Sequence, residues 1–274
     1  MASARGAGAR GGPAAHRQAG RGRPPLLECA AVHFAIFDVE TRIDKALVKA
    51  VLHRHEEIGD EEAYERTRAQ IVARSRTGQD FFPLAFHVPV SIVIGEVNDE
   101  RVLTGVQVLG ADGYSEAGIV HEFWDRLERF RGTLVTFNGR NFDLPVLELA
   151  ALRHGCVMPR YFKGGFRYRY SDEAHYDLYE FVTNFGAYSV RGGFHLLAQL
   201  VGLPGKGAVD GAGVQALWES GRLADIHAYC RRDVIQTYFL FLRLELMRGR
   251  ITPDQHATAQ AATEAFRAEL GLTQ

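Results

Sequence analysis

Cysteine is scarce in this chain: Cys29, Cys156 and Cys230 are the only three in 274 residues, and no two form a Cys-x-x-Cys pair. An odd set at such spacings builds neither a disulfide framework nor a zinc ribbon, and a reducing, cytoplasmic setting is expected. Long apolar runs are also missing. Nothing approaches the roughly 20 apolar residues that span a bilayer, so no membrane partner is expected. Nor is there an excess of charge of either sign, the formal net charge being −1. Any contact with a polyanion must therefore come from local patches rather than from the field of the whole molecule.

What the chain does have is a composition 46% hydrophobic and 24% charged, ordinary for a soluble globular protein. Residues 1–28 are an exception, rich in Gly, Ala and Arg, and are expected to form a disordered tail. A flexible basic tail or a start codon placed too early accounts for them better than a transit peptide. Gly6-x-Gly8-x-x-Gly11 has the form of a dinucleotide fingerprint, but no strand precedes it.

The first strong element is His33–Thr41 (HFAIFDVET), a short buried strand by its Val, Ile and Phe content. Strand side chains alternate faces, so Asp38 and Glu40 share one face while Phe37 and Val39 take the other. Two carboxylates side by side in an apolar strand repel each other and are costly to desolvate. A divalent cation relieves both problems; a strand end meeting solvent is the plain alternative. A second acidic run, Asp60–Glu61–Glu62, is best read as a solvated helix start.

From Ile43 to about Arg76 the pattern is helical and highly charged, broken at Gly59–Asp60, with Leu47, Val51 and Ile58 facing inward. The region 43–82 reads as a helical insertion, a lid or flap over a site. Val90–Val97 and Arg101–Leu109 form an antiparallel hairpin, and Glu116–Phe130 an amphipathic helix. Thr133–Phe137 is a further strand, followed by a turn at Asn138–Gly139–Arg140 and a helix from about Asn141 to His154. That arrangement sets Asp143 at the carboxyl end of a strand, where open α/β sheets place their ligands. Arg160–Tyr170 interleaves bases with aromatics, which suits single-stranded nucleic acid as well as it suits an edge strand. Helices follow near Gly193–Val201, Val209–Glu219 and Leu223–Met247, and residues 251–274 are expected to form a C-terminal helix. In the long helix, Tyr229 and Asp233 lie at i and i+4 on one face.

This ordered set of Asp-x-Glu, then Asn-x-x-x-Phe-Asp, then Tyr-x-x-x-Asp resembles the DEDD superfamily of 3′–5′ exonucleases in its tyrosine-bearing branch. More narrowly, the chain resembles the predicted bacterial exonucleases related to the proofreading domain of family B DNA polymerases. The segments carrying the likeness are Phe34–Thr41, Leu134–Leu147 (LVTFNGRNFDLPVL), Gly202–Lys206 (GLPGK) and Tyr229–Tyr238 (YCRRDVIQTY), with Phe81–Val88 (FFPLAFHV) supporting the narrower family. The resemblance covers about residues 30–247. It implies an α/β, RNase H-like domain over 29–250, with a mixed sheet, one antiparallel strand and helices on both faces.

By the same resemblance Asp38, Glu40, Asp143 and Asp233 hold two divalent ions, Mg²⁺ or Mn²⁺. Tyr229 then orients the attacking water, and a single-stranded DNA or RNA 3′ end is shortened to nucleoside 5′-monophosphates. Phe142 and Thr41 are expected at the substrate, although Thr41 serves equally as a cap. Asn138 suits substrate contact or turn chemistry alike. Lys206 meets phosphate or lies in a plain surface loop, the latter being favoured. Asp177 matches a family acid but is better explained as a helix N-cap. His227 points to the histidine-bearing branch, yet its spacing to Asp233 is one residue too long. Arg231 and Arg232 stand where relatives commonly carry acids, and either weaken cation binding or grip phosphate. With nothing after residue 274, a stand-alone nuclease or one lent to polymerase or repair proteins is expected. A non-catalytic nucleic-acid-binding module and an oligoribonuclease-like enzyme are the competing readings.

Overall fold

The computed structural model describes residues 33–76, 78–205 and 211–271. The tail at 1–28 and Lys206 lie outside the described residues. Five strands form one sheet: β1 (Phe34–Ile43), β2 (His87–Val97), β3 (Leu103–Val108), β4 (Thr133–Thr136) and β5 (His175–Asp177), in the order β3-β2-β1-β4-β5. β2 runs antiparallel to both neighbours, while β1, β4 and β5 are parallel. The sheet is thus mixed, with one antiparallel strand, as an RNase H-like fold requires.

Alternation along β1 sorts its side chains between two cores. Ala35, Phe37 and Val39 pack against α3 (Glu116–Arg129) and α4 (Asp143–His154), with Phe123, Trp124 and Leu147 among their neighbours. Phe34 and Ile36 face the opposite core, built largely on α9 (Leu223–Met247). Asp38 and Glu40 continue this second face, and so they turn toward α9. A close approach makes that possible: a Cβ on Gly95 of β2 would stand 3.0 Å from a methyl of Val234 on α9.

The insertion consists of α1 (Lys45–Leu52) and α2 (Asp60–Arg74), the second opening on the solvated Asp60–Glu61–Glu62 run. Its inward residues are Val48 and Tyr64, packed with Ile43, Phe82 and Phe86, whereas Val51 is 53% exposed. Leu47 packs against this cluster as expected, but Val51 does not, because β1 continues to Ile43 and the Asp44 side chain caps α1 at the Leu47 N–H, which sets the helical face.

Two other expectations change. Arg160–Tyr170 is no strand: α5 (Pro159–Lys163) and turns occupy it, Tyr161 is buried against Trp124, and Phe166 is buried against Tyr161. Two of its five aromatics are therefore core, while Phe162, Tyr168 and Tyr170 stay exposed. The C-terminal segment forms two helices, α10 (Pro253–Ala262) and α11 (Glu264–Glu269), divided at Thr263, whose hydroxyl bonds back to the Ala259 carbonyl. Between β5 and α9 lie α6 (Leu178–Val182), α7 (Gly193–Leu200) and α8 (Gly211–Glu219). Among the described residues no helix is long and apolar enough to cross a membrane.

Candidate active site

Three elements meet at one place. The carboxyl end of β1 brings Asp38 and Glu40, the amino end of α4 brings Asp143, and the middle of α9 brings Tyr229 and Asp233. All five line a single cleft of about 530 Å³ together with Thr41, Asn138 and Phe142. Of the residues expected at a site, only Lys206 is left unplaced.

Each placement has a local cause. The β1–β2 register slips between Glu40 and Thr41, where Pro89 faces Thr41 across the ladder. Such a bulge twists the strand end and re-aims side chains beside it. Asp143 sits in the first turn of α4, buried, and its Oδ1 accepts the Val39 backbone N–H at 3.0 Å. The turn leading into α4 is tight: Asn138 adopts φ +65°, which Asn tolerates. A Cβ on Gly139 would come within 2.5 Å of the Thr136 hydroxyl, so only glycine fits there.

Asp177 secures this turn from the next strand. Its carboxylate accepts the Asn138 and Arg140 N–H groups at 2.9 Å each, and also caps α6 at Tyr179 and Glu180. The N-cap role is correct, and the same carboxylate holds the Asn138 turn. Asn138 Oδ1 accepts the Asn141 side chain at 2.9 Å, so its turn chemistry is realised at the edge of the cleft. Thr41 is not a cap. His87 has only its Nε2 available to donate to the Phe82 carbonyl, which makes Nδ1 the acceptor of the Thr41 hydroxyl at 2.7 Å.

His227 is elsewhere: its Nδ1 meets the Ser91 hydroxyl at 2.8 Å, and it does not line the cleft. Arg231 also points away, with its guanidinium on Glu269 of α11 and on the Val106 carbonyl. Arg232 remains exposed.

The cleft is electrostatically one-sided. Burial, and then the charge of Asp38, hold the Asp143 carboxyl well above the usual carboxylate range. Burial also pushes the Tyr229 hydroxyl far up, helped by Asp233, Glu40 and Asp38, and it hydrogen-bonds Asp233. Every one of these shifts reports negative charge packed into a poorly hydrated space. A bound cation is the physical remedy, and hard oxygen donors suit Mg²⁺, Mn²⁺ or a similar ion.

Sequence reasoning missed Cys230 as part of this site, although it lies inside the Tyr229–Asp233 motif. Its sulfur is 3.5 Å from Asp38 Oδ2, and Asp38, Glu40 and Cys230 bring one donor atom each within 4.8 Å of one another. Burial and the two carboxylates push its thiol well above the ordinary value, so it stays protonated and donates to Asp38. A protonated soft thiol supports the carboxylate without competing as a ligand for a hard cation. Phe81, Phe137 and Phe194, also in the cleft wall, carry no sequence signal that separates them from core aromatics.

Comparison with known families supplies one match. A family model described as a predicted 3′–5′ exonuclease related to the exonuclease domain of PolB matches residues 79–271. Asn138, Phe142, Asp143, Tyr229 and Asp233 fall within the match, while Asp38 and Glu40 precede it and reach the cleft through the pairing of β1 with β2 and β4. No curated protein matches the chain.

Proposed function

Since the chain belongs to the family of predicted 3′–5′ exonucleases related to the exonuclease domain of PolB, we propose that it removes nucleotides from single-stranded 3′ ends, DNA being favoured, and releases nucleoside 5′-monophosphates. The observation that carries this reading is the convergence of four carboxylates from β1, α4 and α9 on one cleft, with Tyr229 among them.

Asp38, Glu40, Asp143 and Asp233 would hold the divalent ions, two in this proposal. Bound there, such ions lower the pKa of water and stabilise the departing 3′ oxygen. The remaining work falls to the chain's own groups. Tyr229 keeps its proton throughout the neutral range, so it positions the attacking water by a hydrogen bond and takes no proton from it. Water oxygen bonds to phosphorus as the bond to the 3′ oxygen of the preceding nucleotide breaks; the water gives up one proton to solvent, and the departing oxygen takes one to leave as a 3′-hydroxyl. His227 is held by Ser91 and does not line the cleft, which supports the tyrosine-bearing assignment. Phe142, which meets Phe81 and His87 at ring distances of 5.8 and 5.1 Å, offers the terminal base an aromatic face.

One observation favours a narrower second reading, an enzyme for short oligoribonucleotides. The insertion walls the cleft with Tyr64 and Gln79–Phe82, as a closed end would require. A time course on 5′-labelled single-stranded DNA and RNA, with Mg²⁺, Mn²⁺ or EDTA, tests both. A ladder shrinking from the 3′ end only with cation, and absent in Asp38→Ala, is the expected result. Intact label under every cation would overturn the assignment, and rapid turnover of dinucleotides alone would select the second reading.

A further inference from the structure

A second depression adjoins the cleft and is not needed by any of the chemistry above. It is a groove of about 570 Å³ between α8 and α9, and it shares Tyr229 and Asp233 with the cleft as a common wall. The face of α9 that lines it runs Asp225, Tyr229, Arg232 and Gln236, a polar stripe at helical spacing on an otherwise apolar helix. Small residues of α8, among them Gly213 and Ala216, form the opposite wall and leave the groove wide.

The charges in it are unequal in availability. Arg222 is held by Asp225 through Nε at 2.7 Å. Arg232 is exposed and makes no ion pair among the described residues. A cation without a counter-charge on the groove is a feature that an anionic ligand would complete. The main cleft differs, being walled by Phe81, Phe137, Phe142 and Phe194. An aromatic slot suits a base; an open groove with an unpaired arginine on its wall suits a phosphodiester chain.

We propose that the α8–α9 groove carries the polynucleotide on the 5′ side of the scissile bond, with Arg232 binding its phosphate backbone. This rests on the exonuclease reading for the polarity of the strand, but the groove's affinity for single-stranded chain does not depend on turnover. Arg232 is a positioning residue here: it sits next to Asp233 in sequence, one helical turn from Tyr229, and fixes the register in which the strand enters the cleft.

The test uses the full chain, in wild type, Arg232→Ala and Arg232→Lys forms. Binding of a fluorescein-labelled single-stranded 10-mer is followed by anisotropy in EDTA at several salt concentrations. Steady-state cleavage of the 10-mer and of a dinucleotide is measured with Mg²⁺. Arg232→Ala is expected to weaken 10-mer binding and raise its KM by about tenfold, with kcat within a factor of about two. The slope of log affinity against log salt should flatten by about 0.7, the value for one phosphate on a single strand. Dinucleotide KM should stay at the wild-type value, and Lys should restore most of the loss. Wild-type affinity and salt slope in Arg232→Ala would overturn the proposal, as would an equal rise in KM for both substrates. Failure of the wild type to cut either substrate would overturn the exonuclease reading instead, leaving the binding result to decide the groove.

Discussion

The backbone N–H of Val39 donates to Oδ1 of Asp143, 104 positions later in the chain, at 3.0 Å. That one bond ties the acid-bearing strand to the acid at the head of α4, and it separates two functions of one carboxylate. Geometry needs an acceptor oxygen; cation binding needs the charge. Asp143→Asn keeps the oxygen and removes the charge. Burial and Asp38 hold the Asp143 proton above its ordinary value, so the metal-free fold is most comfortable while that proton is retained. The stability it contributes is present at low pH and is lost as pH rises through the raised value. The melting temperature without cation should therefore fall with rising pH in wild type more than in Asp143→Asn. Mg²⁺ or Mn²⁺ should raise it in wild type, most at the alkaline end, and do little for the variant. Scanning calorimetry from pH 5 to 9 with and without cation reads both, and an identical cation response in the two proteins would remove Asp143 from the ligand set.

Burial, then the neighbouring carboxylates, raise the Tyr229 hydroxyl above its ordinary value, so the limb of a pH–rate profile is expected to come from another group. Tyr229→Phe should lower kcat by about 10²-fold, the scale of a lost positioning contact, and leave the shape of the profile and the affinity for substrate unchanged. Stopped-flow cleavage between pH 6 and 9 checks this. If the wild-type limb vanishes in the variant, Tyr229 titrates and the positioning role is wrong.

Arg231 and Arg232 are neighbours with opposite assignments. Arg231 forms a fork with Glu269 at 2.6 and 3.0 Å and donates to Val106 at 2.8 Å, pinning α11 to α9 and β3. Both side chains of that ion pair are about a third exposed, so solvent screening limits its worth. Arg231→Ala should cost about 1 kcal/mol in urea unfolding. It should speed amide exchange across Glu264–Glu269 while leaving KM unaltered. A raised KM without loss of stability would reverse the two roles.

Asp177 collects four backbone N–H groups, from Asn138, Arg140, Tyr179 and Glu180. Asp177→Ala strands them, one pair at a helix start and one in the turn before α4. A loss of about 2–4 kcal/mol is expected from a missing cap together with unsatisfied buried donors. Activity should fall further than the folded fraction, because the freed turn carries Asn138 and leads to Asp143. Equilibrium unfolding alongside turnover of the folded protein measures the two, and a strict match between them would confine Asp177 to stability.

Much of this architecture was written in local pattern. The alternation through Phe37, Asp38, Val39 and Glu40 fixed which face meets α9, the Asn138–Gly139 turn placed Asp143 at a strand end, and the i, i+4 pair put Tyr229 and Asp233 on one face. These are properties of two or three successive turns of chain, with periods of 2.0 and 3.6 residues, and so a sequence carries them. Decisions that depend on distant partners were not legible. Val48 rather than Val51 turned inward because β1 ran on to Ile43, and Tyr161 and Phe166 joined the core because Trp124 lies against Tyr161 and Tyr161 against Phe166. Only the fold could reveal that Cys230 stands beside Asp38, 192 residues away, or that Arg231 is spent on α11 while Arg232 is left on a groove. Local order follows from the backbone's own periodicity; the identity of a side chain's neighbour follows from packing, which is settled between segments far apart in the chain.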